Sequence, residues 1–279
     1  MPHLPIYKTF TGTPTGKLRS TYHQTDTNLL YVPGTFKDHN GNDRKLEGIV
    51  VLYASLHNRS GGAANVGIGW RVPNRLWIAG QWDDTGGATQ YSDDTTAAQD
   101  TTTGDFPLET TTNNDGYVVA SRERFNCVTL NVSTASADAT NPTRAVRYSD
   151  SAGTGWTNFT ATDFYASDGT GAAEYTTGEQ LLVFNTPWDW GRTSSLGDIP
   201  DGYYAVNVRA TTAPDTTAGI AASIELWNIH LLTEALGDNG TLEFAGSGEP
   251  LWERFSDGLS VFFSTASAMN RATVQVRMA

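Results

Sequence analysis

The sequence predicts an all-β protein, an antiparallel β-sandwich of jelly-roll-like character, and three observations lead there. Threonine, serine, asparagine and glycine abound while charged residues are only 17% of the 279, a balance that suits strands and turns over exposed helices rich in Glu, Lys and Ala. Runs such as Arg144–Ser149 and Arg271–Met278 alternate in character with period two, the mark of a strand with one buried and one wet face. Turn signals punctuate these runs, with Asp115-Gly116, Asp201-Gly202 and Asp257-Gly258 each leading into a strand. A chain of this length buries about 75% of its unfolded surface, so two packed β domains need no crosslinks.

Residues 1–28 carry Pro2, Pro5 and Pro14 among scattered polar residues, which predicts an extended N-terminal arm. An arm of this composition is ordered only when something holds it, and a neighbouring subunit is the expected holder. Met1, Pro2, His3, Leu4, Pro5, Ile6 and Tyr7 are therefore the candidate interface residues.

The first domain is expected over 29–132, completed by C-terminal strands in 250–279. Leu29–Val32 opens it, Asp38–Asp43 is a turn built on Asn40-Gly41, and Leu46–Leu56 is a long apolar strand. The spacing Asp38-x-Asn40-x-Asn42 partly matches a calcium loop, but Asp43 stands where glycine is required and Ile49 where the closing glutamate belongs. Val66–Val72 and Leu76–Trp82 follow as strands. Gly67 and Gly69 are no phosphate loop, since Trp70-Arg71-Val72-Pro73 permits no following helix. Asp83–Asn114 reads as a long acidic, threonine-rich loop. Its pairs Asp83-Asp84 and Asp93-Asp94 could offer oxygens to calcium, although the spacing matches no cation loop and a solvated or partner-facing loop is the plainer reading. Asp115–Val119 and Phe125–Val132 are the next strands, and Ser133–Thr143 is the expected linker between domains.

The second domain, 144–230, begins with a hairpin of Arg144–Ser149 and Trp156–Thr160 around glycines. Leu181–Phe184 is a short apolar strand that Pro187 ends, because proline cannot donate to a ladder. Asp201–Ala210 and Ser223–His230 are strands, and the expected core includes Trp156, Phe184, Trp188 and Tyr204. Leu231–Gly237 is the one plausible helical turn. Leu259–Phe263 and Arg271–Met278 finish the chain, the latter returning to the first domain's sheet with Ala272, Val274, Val276 and Met278 on one face.

Tyr148, Gly155-Trp156, Gly178-Glu179 before an apolar strand, Pro187-Trp188-Asp189-Trp190, and Asp201-Gly202-Tyr203-Tyr204 running on to Val208-Arg209 carry a resemblance. Together they resemble a β module of structural proteins in tailed-bacteriophage virions, in which a tyrosine, a Gly-Trp, a Pro-x-x-Trp corner, an aromatic pair and an x-Arg strand end follow one another. Pro187–Trp190 matches the corner directly. The resemblance spans Tyr148–Arg209 and brings no catalytic residues; it implies a sandwich and a place in the virion, on head, baseplate or fibre.

A net charge of −12, a pI near 4.7 and the lack of any Lys/Arg run argue against nucleic acid, whose phosphates need a basic patch. The single cysteine, Cys127, excludes an intramolecular disulfide and reads as a small core residue. Met1–Pro5 has no basic and apolar leader pattern and no run approaches about 18 apolar residues, so neither export nor membrane insertion is expected. Asn58, Asn131, Asn158 and Asn239 open Asn-x-Ser/Thr triplets that read as chance. The five histidines form no His-Glu-x-x-His, and there is no Gly-x-Ser-x-Gly. A carboxylate-pair glycosidase would leave no local motif, and the eight tryptophans could either fill cores or stack on sugars.

Two functions follow as expectations. The first is a non-enzymatic capsid decoration or cement protein of a phage, made in the host cytoplasm and carried in the virion. It would bind the major capsid protein or another virion protein as a homo-oligomer, a trimer being favoured, with no cofactor, nucleic acid or membrane. The alternative is a carbohydrate-binding β-sandwich, a tail or fibre component or a glycosidase.

Overall fold

The computed structural model describes residues 6–12, 35–37, 43–45, 49–84, 90–100, 105–108, 114–136, 144–160, 163–166, 174, 176–211, 217–231, 235–245, 252–254, 259–263 and 270–278. The chain is nearly all β. Its first strands are β1 (Ile6–Gly12), β2 (Thr35–Lys37), β3 (Asp43–Lys45), β4 (Ile49–His57), β5 (Val66–Arg71), β6 (Trp77–Trp82) and β7 (Tyr91–Asp93). A short helix, α1 (Thr95–Gln99), precedes β8 (Phe106–Pro107), β9 (Gly116–Ser121), β10 (Cys127–Thr134), β11 (Arg144–Ser149), β12 (Trp156–Asn158) and β13 (Phe164–Ala166). Then come β14 (Gly178–Phe184), β15 (Tyr204–Ala210), β16 (Ile220–Leu231), β17 (Thr241–Ala245), β18 (Trp252–Arg254), β19 (Leu259–Phe263) and β20 (Arg271–Met278).

Two compact units divide the chain: Met1–Val72 with Asn228–Ala279, and Pro73–Trp227. In the first, β20 lies antiparallel between β1 and β4. Its alternation is read out directly, since Ala272 and Val274 are buried while Thr273 and Gln275 are half-buried. They sit opposite the fully buried Leu56 and Ala54 of β4, the cross-strand pairs that stabilise a sheet face. β17 and β18 pair with β4 as well. β5 pairs with β19, and β2 with β3 around the expected Asn40-Gly41 turn, which itself lies outside the described residues.

Residues 6–12 do not form an arm reaching to a neighbour. Ile6–Gly12 is a strand of the chain's own sheet, with Ile6 opposite Met278 and Gly12 opposite Ala272. The residue run Ile6-Tyr7-Lys8-Thr9-Phe10-Thr11 is β-branched and aromatic at most positions. Pro2 and Pro5 precede it and Pro14 follows it, so every residue of β1 keeps its backbone donor for the ladder.

The second unit is a sandwich. One sheet has the order β12-β11-β15-β9-β6-β7; the other contains β13-β14-β10-β16, with β8 paired to the start of β16. Aromatic rings fill the space between them. Phe184 of β14 lies 5.7 Å from Phe125 and 5.1 Å from Phe159, and Phe106 of β8 meets Tyr117 of β9 edge-on at 6.3 Å. Gln81 Nε2 donates to the Pro107 carbonyl across the same gap, at 2.8 Å. The opposite face of the six-stranded sheet is covered in turn by the segment after β14, where Leu196, Ile199 and Tyr203 pack on Trp82, Tyr91, Val118, Ala120 and Ala205.

The units do not divide at Ser133–Thr143. Strands before it, β9 and β10, pair with β15, β14 and β16 after it, so its small polar residues mark a connection inside one unit. The stretch Asp83–Asn114 likewise holds β7, α1 and β8. Where a helical turn was expected, Leu231 ends β16, 232–234 lie outside the described residues, and Leu236 bridges to Ala64.

Candidate functional site

The surface chemistry of the second unit gathers around Pro187–Gly191. β14 ends at Phe184, three residues before Pro187, and Trp188-Asp189 form a turn, so two indoles that would share a face in a strand go to opposite environments. Trp190 is 2% exposed and Trp188 is 90% exposed, the one large apolar side chain in the open among the described residues. The expected core position of Trp188 is thereby overturned; Phe184 is buried, and Trp156 and Tyr204 are half-buried.

Everything beneath Trp188 is anchored. Trp190 Nε1 donates to Ser149 Oγ at 3.1 Å and to the Ala205 carbonyl at 3.2 Å. Its ring meets Phe125, Phe184 and Tyr204 at 5.2, 5.9 and 5.5 Å. Ser149 Oγ donates to the Gly191 carbonyl at 2.6 Å. Asp189 Oδ1 accepts from the Tyr148 hydroxyl at 3.1 Å; burial, that bond and the Asp189 charge together hold the phenol above its ordinary range. The β11–β12 turn presses on the corner so closely that a Cβ on Gly153, at φ +72°, would lie 1.8 Å from the Arg192 carbonyl oxygen. Only glycine takes that conformation and that distance without strain.

Beside the corner stand three arginines on two tyrosines. Arg122 lies 5.1 Å over the Tyr203 ring and its Nε donates to that hydroxyl at 3.2 Å. Arg124 and Arg192 each lie 5.2 Å over the Tyr204 ring, and Arg124 Nη2 donates to the Trp190 carbonyl at 3.2 Å. Burial raises the Tyr204 phenol, but hydrogen bonds and charge from Arg192 and Arg124 outweigh it and the group sits below its ordinary range. Trp188 is two residues from Trp190, at most about 7 Å along the backbone. Trp, Tyr and Arg are the residues that dominate binding energy at protein interfaces.

A second cluster lies on the face of the six-stranded sheet that carries Trp82. The buried Arg147 is 5.7 Å from the Trp82 ring and 5.3 Å from the Trp156 ring, and its Nε donates to Asn207 Oδ1 at 2.7 Å. Asp84 bridges Arg147 and Arg209 at 3.5 and 3.4 Å. Burial, with the Arg209 charge, lowers the Arg147 guanidinium to about 10 against the pull of Asp84. This cluster braces the loop after β6 and consumes Asp84.

Met1–Pro5 lie outside the described residues, and Ile6 and Tyr7 sit in β1 opposite Met278 and Arg277. Among the described residues no group of three or more His, Cys, Asp or Glu could hold a metal ion; Asp93 accepts from the Tyr91 and Thr95 hydroxyls at 3.1 and 2.5 Å. Asn58 is fully buried and its side-chain amide donates to the Gly62, Leu236 and Gly237 carbonyls, so that triplet is a structural turn. Cys127 is buried, and burial, then Glu179, pushes its thiol well up. Trp70, Trp77, Trp82, Trp190 and Trp227 are buried core. The arginine–tyrosine edge was missed in the sequence, although Arg122, Arg124 and Arg192 are three of only seven basic residues in Pro73–Trp227.

No known protein family, curated protein or solved structure matches this chain.

Proposed function

We propose that this chain is a non-enzymatic structural protein of a tailed-bacteriophage virion, a decoration or cement protein that binds the outer surface of the head as a homo-oligomer. The observation that carries the reading is Trp188, 90% exposed at a corner whose buried Trp190 is the tryptophan of the resembled module's Pro-x-x-Trp element. A large indole held in the open by a corner fixed beneath it has little conformational entropy to lose on docking, and such an anchor is worth about 2 kcal/mol or more when a partner pocket covers it. The corner thus takes over the contact role expected of the arm, with the major capsid protein or another virion protein as partner.

The same exposed indole favours a second reading, a carbohydrate-binding sandwich, because a planar ring in the open is also what a sugar face stacks on. Purified particles separate the two. The chain is expected to co-sediment with particles, and Trp188→Ala to weaken that binding by about thirty-fold, the equivalent of about 2 kcal/mol. Unchanged particle binding by the variant would remove the corner from the contact. Protection of Trp188 by soluble polysaccharide, with no particle binding, would replace the virion reading with the second one.

A further inference from the structure

We propose that one end of the six-stranded sheet in the second unit is a two-fold self-association surface, in which Arg122 and Arg192 of one copy face Asp93 and Asp94 of another. The proposal rests on the homo-oligomer put forward above and names the contact that builds it.

Topology places the two groups side by side. β9 and β7 both run antiparallel to β6 and flank it, so both end toward the start of β6. Arg122 N donates to the Leu76 carbonyl and Asp94 N to the Ala79 carbonyl, each at 2.9 Å. The two anchor points are three residues apart, about 10 Å along a strand. Arg192 joins the basic side through Tyr204, which lies opposite Ser121 at the end of β9.

Among the described residues neither group has its counter-charge. Arg122 and Arg192 have no carboxylate within 4.0 Å among the described residues, and Asp93 and Asp94 have no cation there. Asp94 is held above the ordinary carboxylate range by burial and by the neighbouring Asp105 and Asp93 charges, so a cation brought beside it relieves a repulsion. The arginines are stacked on tyrosine rings, which fixes their planes and lowers the cost of ordering them against a carboxylate. Glu123, exposed between Arg122 and Arg124, leaves the edge net positive. Adjacent patches of opposite sign are self-complementary under a two-fold axis, where each residue pair occurs twice. Nucleic acid is the poorer occupant, since Pro73–Trp227 holds seven arginines and no lysine against 20 carboxylates, a field that repels a polyphosphate.

The test is sedimentation velocity on the full chain. The wild type is expected to form dimers or multiples of dimers. Arg122→Glu with Arg192→Glu should weaken association at least tenfold, as should Asp94→Arg, whose side chain makes no hydrogen bond among the described residues. An equimolar mixture of the two variants should restore mixed dimers. Circular dichroism confirms that each variant is folded, and Arg122→Gln with Arg192→Gln provides a milder version of the first. A monomeric wild type, association unchanged in the arginine variant, or a mixture that fails to recover overturns the contact. A monomeric wild type also removes the homo-oligomer from the proposed function, while particle binding is read separately: a chain that pairs as proposed yet is absent from particles overturns the virion reading alone.

Discussion

Pro73–Trp227 is one continuous stretch, whereas the first unit is closed by strands from opposite ends of the chain, β1 and β4 with β20 between them. Charge separates them as sharply. The continuous unit has a formal charge of −13 and the first unit +1. The two units are therefore stabilised in different ways. The first unit depends on pairing its termini, while the second is held by a contiguous aromatic core and carries Trp188 and the arginine–tyrosine edge, the surface groups on which the proposed contacts rest.

Removing Arg271–Ala279 should have the largest effect. β1 and β4 both lose a ladder partner, so the first unit should lose its cooperative unfolding altogether, roughly 5 kcal/mol or more. Hydrogen exchange should show β4 unprotected and β9 and β15 still protected; protection of β4 at the wild-type level would contradict it.

Trp190→Ala aims at the other unit. A buried indole removed with its two hydrogen bonds should cost about 3 to 5 kcal/mol, read as a lower denaturant midpoint for the second unit. Gly153→Ala should cost more than about 1 kcal/mol, because the added Cβ meets a backbone carbonyl and the conformation is left-handed. Trp188→Ala, two positions from Trp190, should change stability by less than about 0.5 kcal/mol. A large loss there would return Trp188 to the core.

The smallest expected effect is on the acid side. Hydrogen bonds from the Thr160 hydroxyl and backbone N–H hold the Asp163 carboxyl below its ordinary range. A depressed folded value means a contribution that is present above the ordinary carboxylate range and lost as pH falls through the folded value. Asp163→Asn should therefore lower stability slightly at neutral pH, leave it unchanged below the folded value, and so flatten the acid limb of the stability profile.

Most strands were legible because alternation and turn residues are local signals: β11 with β12, β15 and β20 fall where period two places them. What was not legible is non-local. The small-residue stretch Ser133–Thr143 looks like a linker in isolation, and only the pairing of β10 with β14 and β16 puts it inside a unit. β1 was hidden by the prolines around it, although Ile6–Thr11 has strand composition. At the candidate site the Pro-x-x-Trp corner could be read from the sequence, but not which indole it exposes, since that depends on the Ser149 and Ala205 acceptors waiting for Trp190. The arginine–tyrosine edge joins residues 122, 124, 192, 203 and 204 through sheet register, which no spacing rule encodes.

Whether the corner presents Trp188 to a virion partner is read by acrylamide quenching of tryptophan fluorescence in the wild type and in Trp188→Phe. The difference between the two reports Trp188 alone. It should be strongly quenched in the free protein and shielded once the protein is bound to purified particles. Equal quenching in the free and particle-bound states would contradict the claim.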